Sequence, residues 1–315
     1  MKPGRMRGRI RGRMAAAIVT AAVGLLGMTL TGCNVEPSPP PGLTLYTEAG
    51  ADPEAWARVP AGPFPMGRDG VEVTTGAFEI MVTPVTNAQY ARYLTEALKA
   101  GQVILDGDTV MGFYPGDLFR GGKHEKEYRA GYYPHMPLGD PATRIVRKGD
   151  GFAVKPGYEN HPVTMVTWFG ARAYCEAIGG RLPTEAEWEK AARGTDRRPY
   201  PWGDGISPAH ANYYHSKDPF ETPEGYSDTT PVGFYNGSRY GDFLTVNAVS
   251  PYGLYDMAGN VAEWTADIYP MTHYRFLRGG SKANYGYDLR VWSRNSAVPE
   301  YASPNVGFRC VRDVR

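Results

Sequence analysis

The stretch Arg278–Cys310 reads RGGSKANYGYDLRVWSRNSAVPEYASPNVGFRC. Glycines at 279, 280, 286 and 307 and prolines at 299 and 304 punctuate it, and none of it has the spacing of a long helix. Upstream lie HPVTMVTWFGARAYCEAIGGRLPTEAEWEKAARG (His161–Gly194), YPWGD (Tyr200–Asp204) and SPYGLYDMAGNVAEWTAD (Ser250–Asp267). Three short helices are signalled. Thr86-Asn87-Ala88-Gln89 has the pattern of a capping box and opens a helix to about Leu98, closed by Gly101. Thr167 precedes a helix over Trp168–Ile178 that Gly179-Gly180 stops. Thr184-Glu185-Ala186-Glu187 opens a third, which ends at Gly194. Short strands and long loops separate them without alternating strand–helix units, so the reading is α+β.

In order and spacing, these blocks resemble the sulfatase-modifying factor family, the formylglycine-generating enzymes, from about Val59 to Cys310. The resemblance implies one loop-rich α+β domain over 46–315, distantly like a C-type lectin, with a family-variable insertion around 107–157. In the enzymes, RGGS is followed three residues later by a cysteine and five residues beyond that by another. Here the first position is Asn284, and the second falls among Tyr287, Asp288 and Leu289. Two thiolates there hold Cu(I) in the family, and soft sulfur suits that ion. No copper is expected in this chain, nor formylglycine formation by the known route.

The resemblance makes the segment after RGGS the ligand groove, with Ser281, Asn284, Tyr285 and Arg290 as its binding residues. Its Tyr, Trp and Arg content is that of recognition hot spots, although Trp292 and Arg294 read equally well as a core residue and an ion-paired one. The expected role is a binding or assembly module for an unknown protein or small-molecule ligand. The rival is an oxidase without the thiol pair, with Tyr287 or Asp288 moving the proton.

Lys2, Arg5, Arg7, Arg9, Arg11 and Arg13 precede an apolar run over 14–30 and then Leu30-Thr31-Gly32-Cys33. The run is short for a membrane span and fits a lipoprotein signal over 1–32, with Cys33 as the lipidated residue; an uncleaved anchor is the alternative. Residues 33–45 form a proline-rich tether. A lipid anchor in the cell envelope follows, with the outer membrane favoured by Asn34. Without 1–32 the chain holds 28 basic and 33 acidic residues, a net charge of −5, which argues against nucleic-acid binding. Cys175 and Cys310 remain, and in an oxidising compartment two cysteines suggest one disulfide, as the family resemblance implies for these positions; two reduced thiols are the other reading.

Asp256 and Glu263 flank a glycine turn, and calcium takes six to eight oxygens from such loops. The resemblance places structural calcium on the side chains of Asp256 and Glu263 and the carbonyls of Gly259 and Val261. A second site maps to the side chains of Asn212 and Glu224 and the carbonyls of Tyr213 and Tyr226. The six histidines are scattered, with no HExxH spacing, and no phosphate loop or nucleophile elbow is present.

Overall fold

The computed structural model describes residues 46–221 and 227–314. The signal segment, Cys33, the tether and the expected calcium ligands Glu224 and Tyr226 lie outside the described residues.

The chain begins with strand β1 (Trp56–Val59), the hairpin β2 (Gly62–Met66) and β3 (Val71–Thr75), and β4 (Phe78–Met81). β4 is the middle strand of a three-stranded sheet, with β1 on one side and the last strand, β16 (Val311–Asp313), on the other. Helix α1 (Asn87–Lys99) follows. Thr86 Oγ1 accepts from the Gln89 N–H while Gln89 Oε1 accepts from the Thr86 N–H, the reciprocal pair that satisfies otherwise orphan helix donors. The expected insertion builds most of an antiparallel meander, β5 (Val103–Asp106), β6 (Thr109–Gly116) and β7 (Arg129–Pro137), then the hairpin β8 (Ile145–Lys148) and β9 (Gly151–Val154).

Helix α2 (Trp168–Ala177) is capped by Thr167, and α3 (Glu185–Arg193) by the Thr184–Glu187 box. Gly194 ends α3 at φ +76°, a backbone angle that favours glycine. A two-residue pair, β10 (Arg239–Tyr240) and β11 (Phe243–Leu244), precedes the sheet that carries the groove. That sheet runs β14 (Arg294–Ala297), β13 (Arg275–Arg278), β12 (Ala262–Ile268) and β15 (Val306–Gly307), with only β15 parallel to its neighbour. The result is α+β, with small sheets, three α-helices among the described residues and long loops, the fold class expected from the sequence.

Two apolar clusters fix this arrangement. The larger joins Tyr90 and Leu94 of α1 to Phe169 and Tyr174 of α2 and to Trp264 and Phe308. The smaller packs Trp188 of α3 against Ile80, Met257 and Val291. Cys175 on α2 is bonded to Cys310, with their Cα atoms 5.5 Å apart across 135 residues of sequence. The chain-entropy picture assigns such a closure about 4–5 kcal/mol.

Buried charge supplies a second framework. Arg309, fully buried, spans both oxygens of Glu263 at 2.8–3.1 Å and reaches the carbonyls of Met81, Val82 and Tyr255. Arg278 bridges Glu185 at 2.7 Å and Glu189 at 2.5 Å, tying β13 to α3. Such pairs add little over an apolar replacement, yet breaking one leaves a stranded charge that costs about 3–5 kcal/mol.

Candidate ligand groove

The Gly279-Gly280 pair carries the chain off β13 at φ +85° and +66°. A side chain at Gly280 would meet Leu289 Cδ1 at 3.0 Å, so the turn is held tightly against that leucine. Ser281 then starts a closed turn. Its N–H and its hydroxyl both donate to Asn284 Oδ1, at 2.9 and 2.8 Å. The Asn284 carbonyl accepts from Tyr214 N–H at 2.9 Å. Asn284, at the first thiol position of the family pattern, therefore acts as a turn clasp.

The second thiol window, Tyr287–Leu289, lies in a 3₁₀ turn over Gly286–Leu289. Tyr287 points outward at 64 % exposure with Arg290 beside its ring, whereas Leu289 is fully buried against Tyr200, Ala211 and Ala258. An apolar side chain locked into a core offers nothing to a metal or an oxidant.

Beside this turn opens a cavity of about 490 Å³. Ser281, Asn284 and Asp288 line one wall, and β14 with Ser293 provides another. Tyr301, Ser303 and Asn305 line it from the segment before β15, over a floor that includes Ala262 and Leu277. Of the expected groove residues, Ser281 and Asn284 line the cavity. Tyr285 and Arg290 do not: Tyr285 is 63 % exposed and edges onto Tyr214, and Arg290 lies between Tyr287 and Trp292. Of the two proton-transfer candidates, Asp288 lines the cavity and Tyr287 does not. Trp292 packs beside the smaller cluster, while Arg294 both reaches Glu185 at 3.3 Å and lines the cavity.

Lys282 turns away to Asn305 Oδ1 at 3.0 Å, and burial lowers the pKa of its ammonium. Asn295, Ser296, Tyr301, Ser303 and Asn305 escaped the sequence reading. Each is a small polar residue or a tyrosine in a loop-rich run; the β13–β14 pairing positions Asn295 and Ser296, and the loop before β15 carries Tyr301, Ser303 and Asn305 to the cavity.

The loop expected to hold calcium has, among the described residues, no group of three or more acidic, histidine or cysteine side chains suited to a metal ion. Asp256, at φ +56°, accepts from Gly233 N–H at 2.7 Å, and its carboxyl is pushed up to about 6, first by burial and in smaller part by the neighbouring Glu263 charge. A cation would relieve that cost. The Glu263 carboxylate is engaged as an ion-pair partner: Arg309 spans both oxygens and Trp188 Nε1 donates to one at 2.8 Å. At the second site, Asn212 Oδ1 accepts from the Ser227 hydroxyl and its Nδ2 donates to the Asp228 carbonyl, so its side chain is also engaged.

The family model described as "Sulfatase-modifying factor enzyme 1-like domain" matches residues 44–314. An "Inactive C-alpha-formylglycine-generating enzyme 2" of Bos taurus is 35 % identical over 280 residues, covering 80 % of this chain and 86 % of that protein. A "Serine/threonine-protein kinase pkn1" of Chlamydia caviae is 33 % identical over 263 residues; the match covers 78 % of this chain but only 34 % of the kinase's length. Among solved structures, PvdO from Pseudomonas aeruginosa superposes with a TM-score of 0.52 at 24 % identity, covering 85 % of this chain and 97 % of that one, a likeness of fold.

Proposed function

Because the chain belongs to the sulfatase-modifying factor family yet carries Asn284 at the first position of that family's thiol pattern and Tyr287, Asp288 and Leu289 across the second, we propose that it is a binding module and not a formylglycine-generating oxidase. The observation that carries this reading is the turn itself. The Asn284 side-chain oxygen is committed to Ser281, and in the second window Tyr287 is exposed and Leu289 is committed to the core, while the cavity beside them stays open and polar. Specific recognition needs a concave, pre-formed surface with a few fixed polar groups, and this groove has both. The oxidase rival retains Asp288 at the wall, a carboxylate that can move a proton.

We place this module on a lipid anchor at Cys33, carried on the tether 33–45, and assign calcium a structural part at Asp256 with the carbonyls of Gly259 and Val261. The arginine-rich leader and the Leu30–Cys33 motif support the anchor, and the raised Asp256 carboxyl supports the cation. Cells expressing the chain and fed a labelled fatty acid should label the wild type but not Cys33→Ser; equal labelling contradicts the anchor. For the groove, the protein is to be screened against immobilised peptide and saccharide libraries in parallel with Asn284→Ala. A ligand retained at least tenfold better by the wild type, at matched melting temperatures, supports the reading. Retention indifferent to the substitution contradicts it.

A further inference from the structure

Three carboxamides of the cavity share one peculiarity. Asn284 Oδ1 accepts from the Ser281 N–H, Asn295 Oδ1 from the Ser296 N–H at 2.8 Å, and Asn305 Oδ1 from the Lys282 ammonium at 3.0 Å. Each donor can only donate, so the three oxygens are fixed toward protein and the amide orientations follow from the bonds. The three Nδ2 groups have no protein acceptor among the described residues, and all three asparagines line the same cavity. The hydroxyls of Ser293 and Tyr301 likewise bond no described protein group, and both residues line the same space; Ser296 alternates with Asn295 along β14 and lies on the sheet face of Phe276. The charged lining residues are Arg294 and Asp288, of opposite sign.

Three amide donors and two hydroxyls thus belong to residues around one space, whose two charged lining residues oppose in sign and whose floor includes Ala262 and Leu277. The matching ligand is neutral and dense in acceptors, and an anion would gain little from a lining whose charges oppose. An extended peptide is the poorer match, because the three Nδ2 groups only donate and leave its own N–H groups to the hydroxyls and Asp288. Saccharide hydroxyls both donate and accept, and an N-acetyl carbonyl is a good acceptor for an amide N–H. Tyr301, 43 % exposed, adds an aromatic ring whose apolar body can lie against a sugar. We infer that the groove binds a neutral N-acetylated saccharide, read by the Nδ2 groups of Asn284, Asn295 and Asn305. The inference rests on the groove being the binding face.

The test uses Asn→Asp substitutions. Each keeps the oxygen that accepts from Ser281, Ser296 or Lys282 and exchanges the free donor for a negatively charged acceptor, and the melting temperature of each variant checks that the fold is kept. The full chain is titrated calorimetrically with the trimer of N-acetylglucosamine, the glucose trimer and an extended Ser/Gly peptide. Expected is saturable binding of the N-acetylated trimer, weaker binding of the glucose trimer, and a loss of tenfold or more in Asn295→Asp and Asn305→Asp at unchanged melting temperature. Equal binding by the Asp variants overturns the inference, as does failure of both saccharides. If the peptide then binds and Asn284→Ala weakens it, the binding reading stands while the saccharide assignment falls. If neither saccharide nor peptide binds and the library screen is also empty, both fall.

Discussion

Asn284 and Glu263 show how much a single side chain's partners decide. By type, Asn284 is a polar residue in a groove and Glu263 a carboxylate on a calcium-like loop. By contact, Asn284 clasps a turn with its oxygen and keeps its nitrogen free, while Glu263 neutralises Arg309. The two substitutions that separate calcium from ion pair are therefore Asp256→Ala and Glu263→Gln. Calcium should raise the wild-type melting temperature and EDTA lower it, since a ligand bound only by the native state stabilises by mass action. Asp256→Ala should abolish that response. Glu263→Gln should keep it, while lowering stability by about 3 kcal/mol through the stranded Arg309 charge. A wild-type midpoint that is the same in calcium and EDTA removes the cation from the account. The Glu263–Arg309 pairing was not legible in the sequence, because the partners lie 46 residues apart and meet only when β12 and the Cys310 segment dock.

At the scale of elements, the helices were the readable part. Thr86 and Thr184 announce their helices by bonds to residues three positions on, so the signal is local and survives without tertiary context. The expected ends differ from the observed ones by a residue: α1 continues to Lys99, and α2 stops at Ala177 with Ile178 as its cap. β14 gave no such signal, since Arg294-Asn-Ser-Ala297 has no alternation and becomes a strand only by pairing with β13.

One consequence of element packing concerns pH. His135 on β7 is buried against α2, with its carbonyl accepting from Thr167 N–H, and His161 is buried with Nδ1 at 2.8 Å from the Thr229 hydroxyl. Burial lowers both imidazoles to about 4, below the roughly 6.5 of an exposed histidine. The unfolded chain thus binds more protons between those values. Each histidine contributes stability that is full above pH 6.5 and lost as pH falls toward 4, up to about 3 kcal/mol apiece. Urea midpoints should therefore fall between pH 6.5 and 4.5; a flat profile there contradicts the buried neutral assignment.

For the whole molecule, a single loop-rich scaffold joins its first and last strands through β4 and closes with the Cys175–Cys310 bond, leaving one sheet to carry the groove. The family and the missing thiol pattern were visible in the blocks around RGGS and GFRC. The ligand-facing amides were not, because they are ordinary residues made special by which of their atoms the protein leaves unbonded. The proposed binding role requires that the groove perform no thiol-based oxidation. The most direct measurement incubates the purified wild-type protein with Cu(I), oxygen and a sulfatase-type cysteine peptide, with mass spectrometry of the peptide. Asn284→Cys is run beside it, since one restored thiol still lacks the second that a two-thiolate copper site requires. The account predicts unmodified peptide in both reactions. Formylglycine product from the wild-type chain would contradict it.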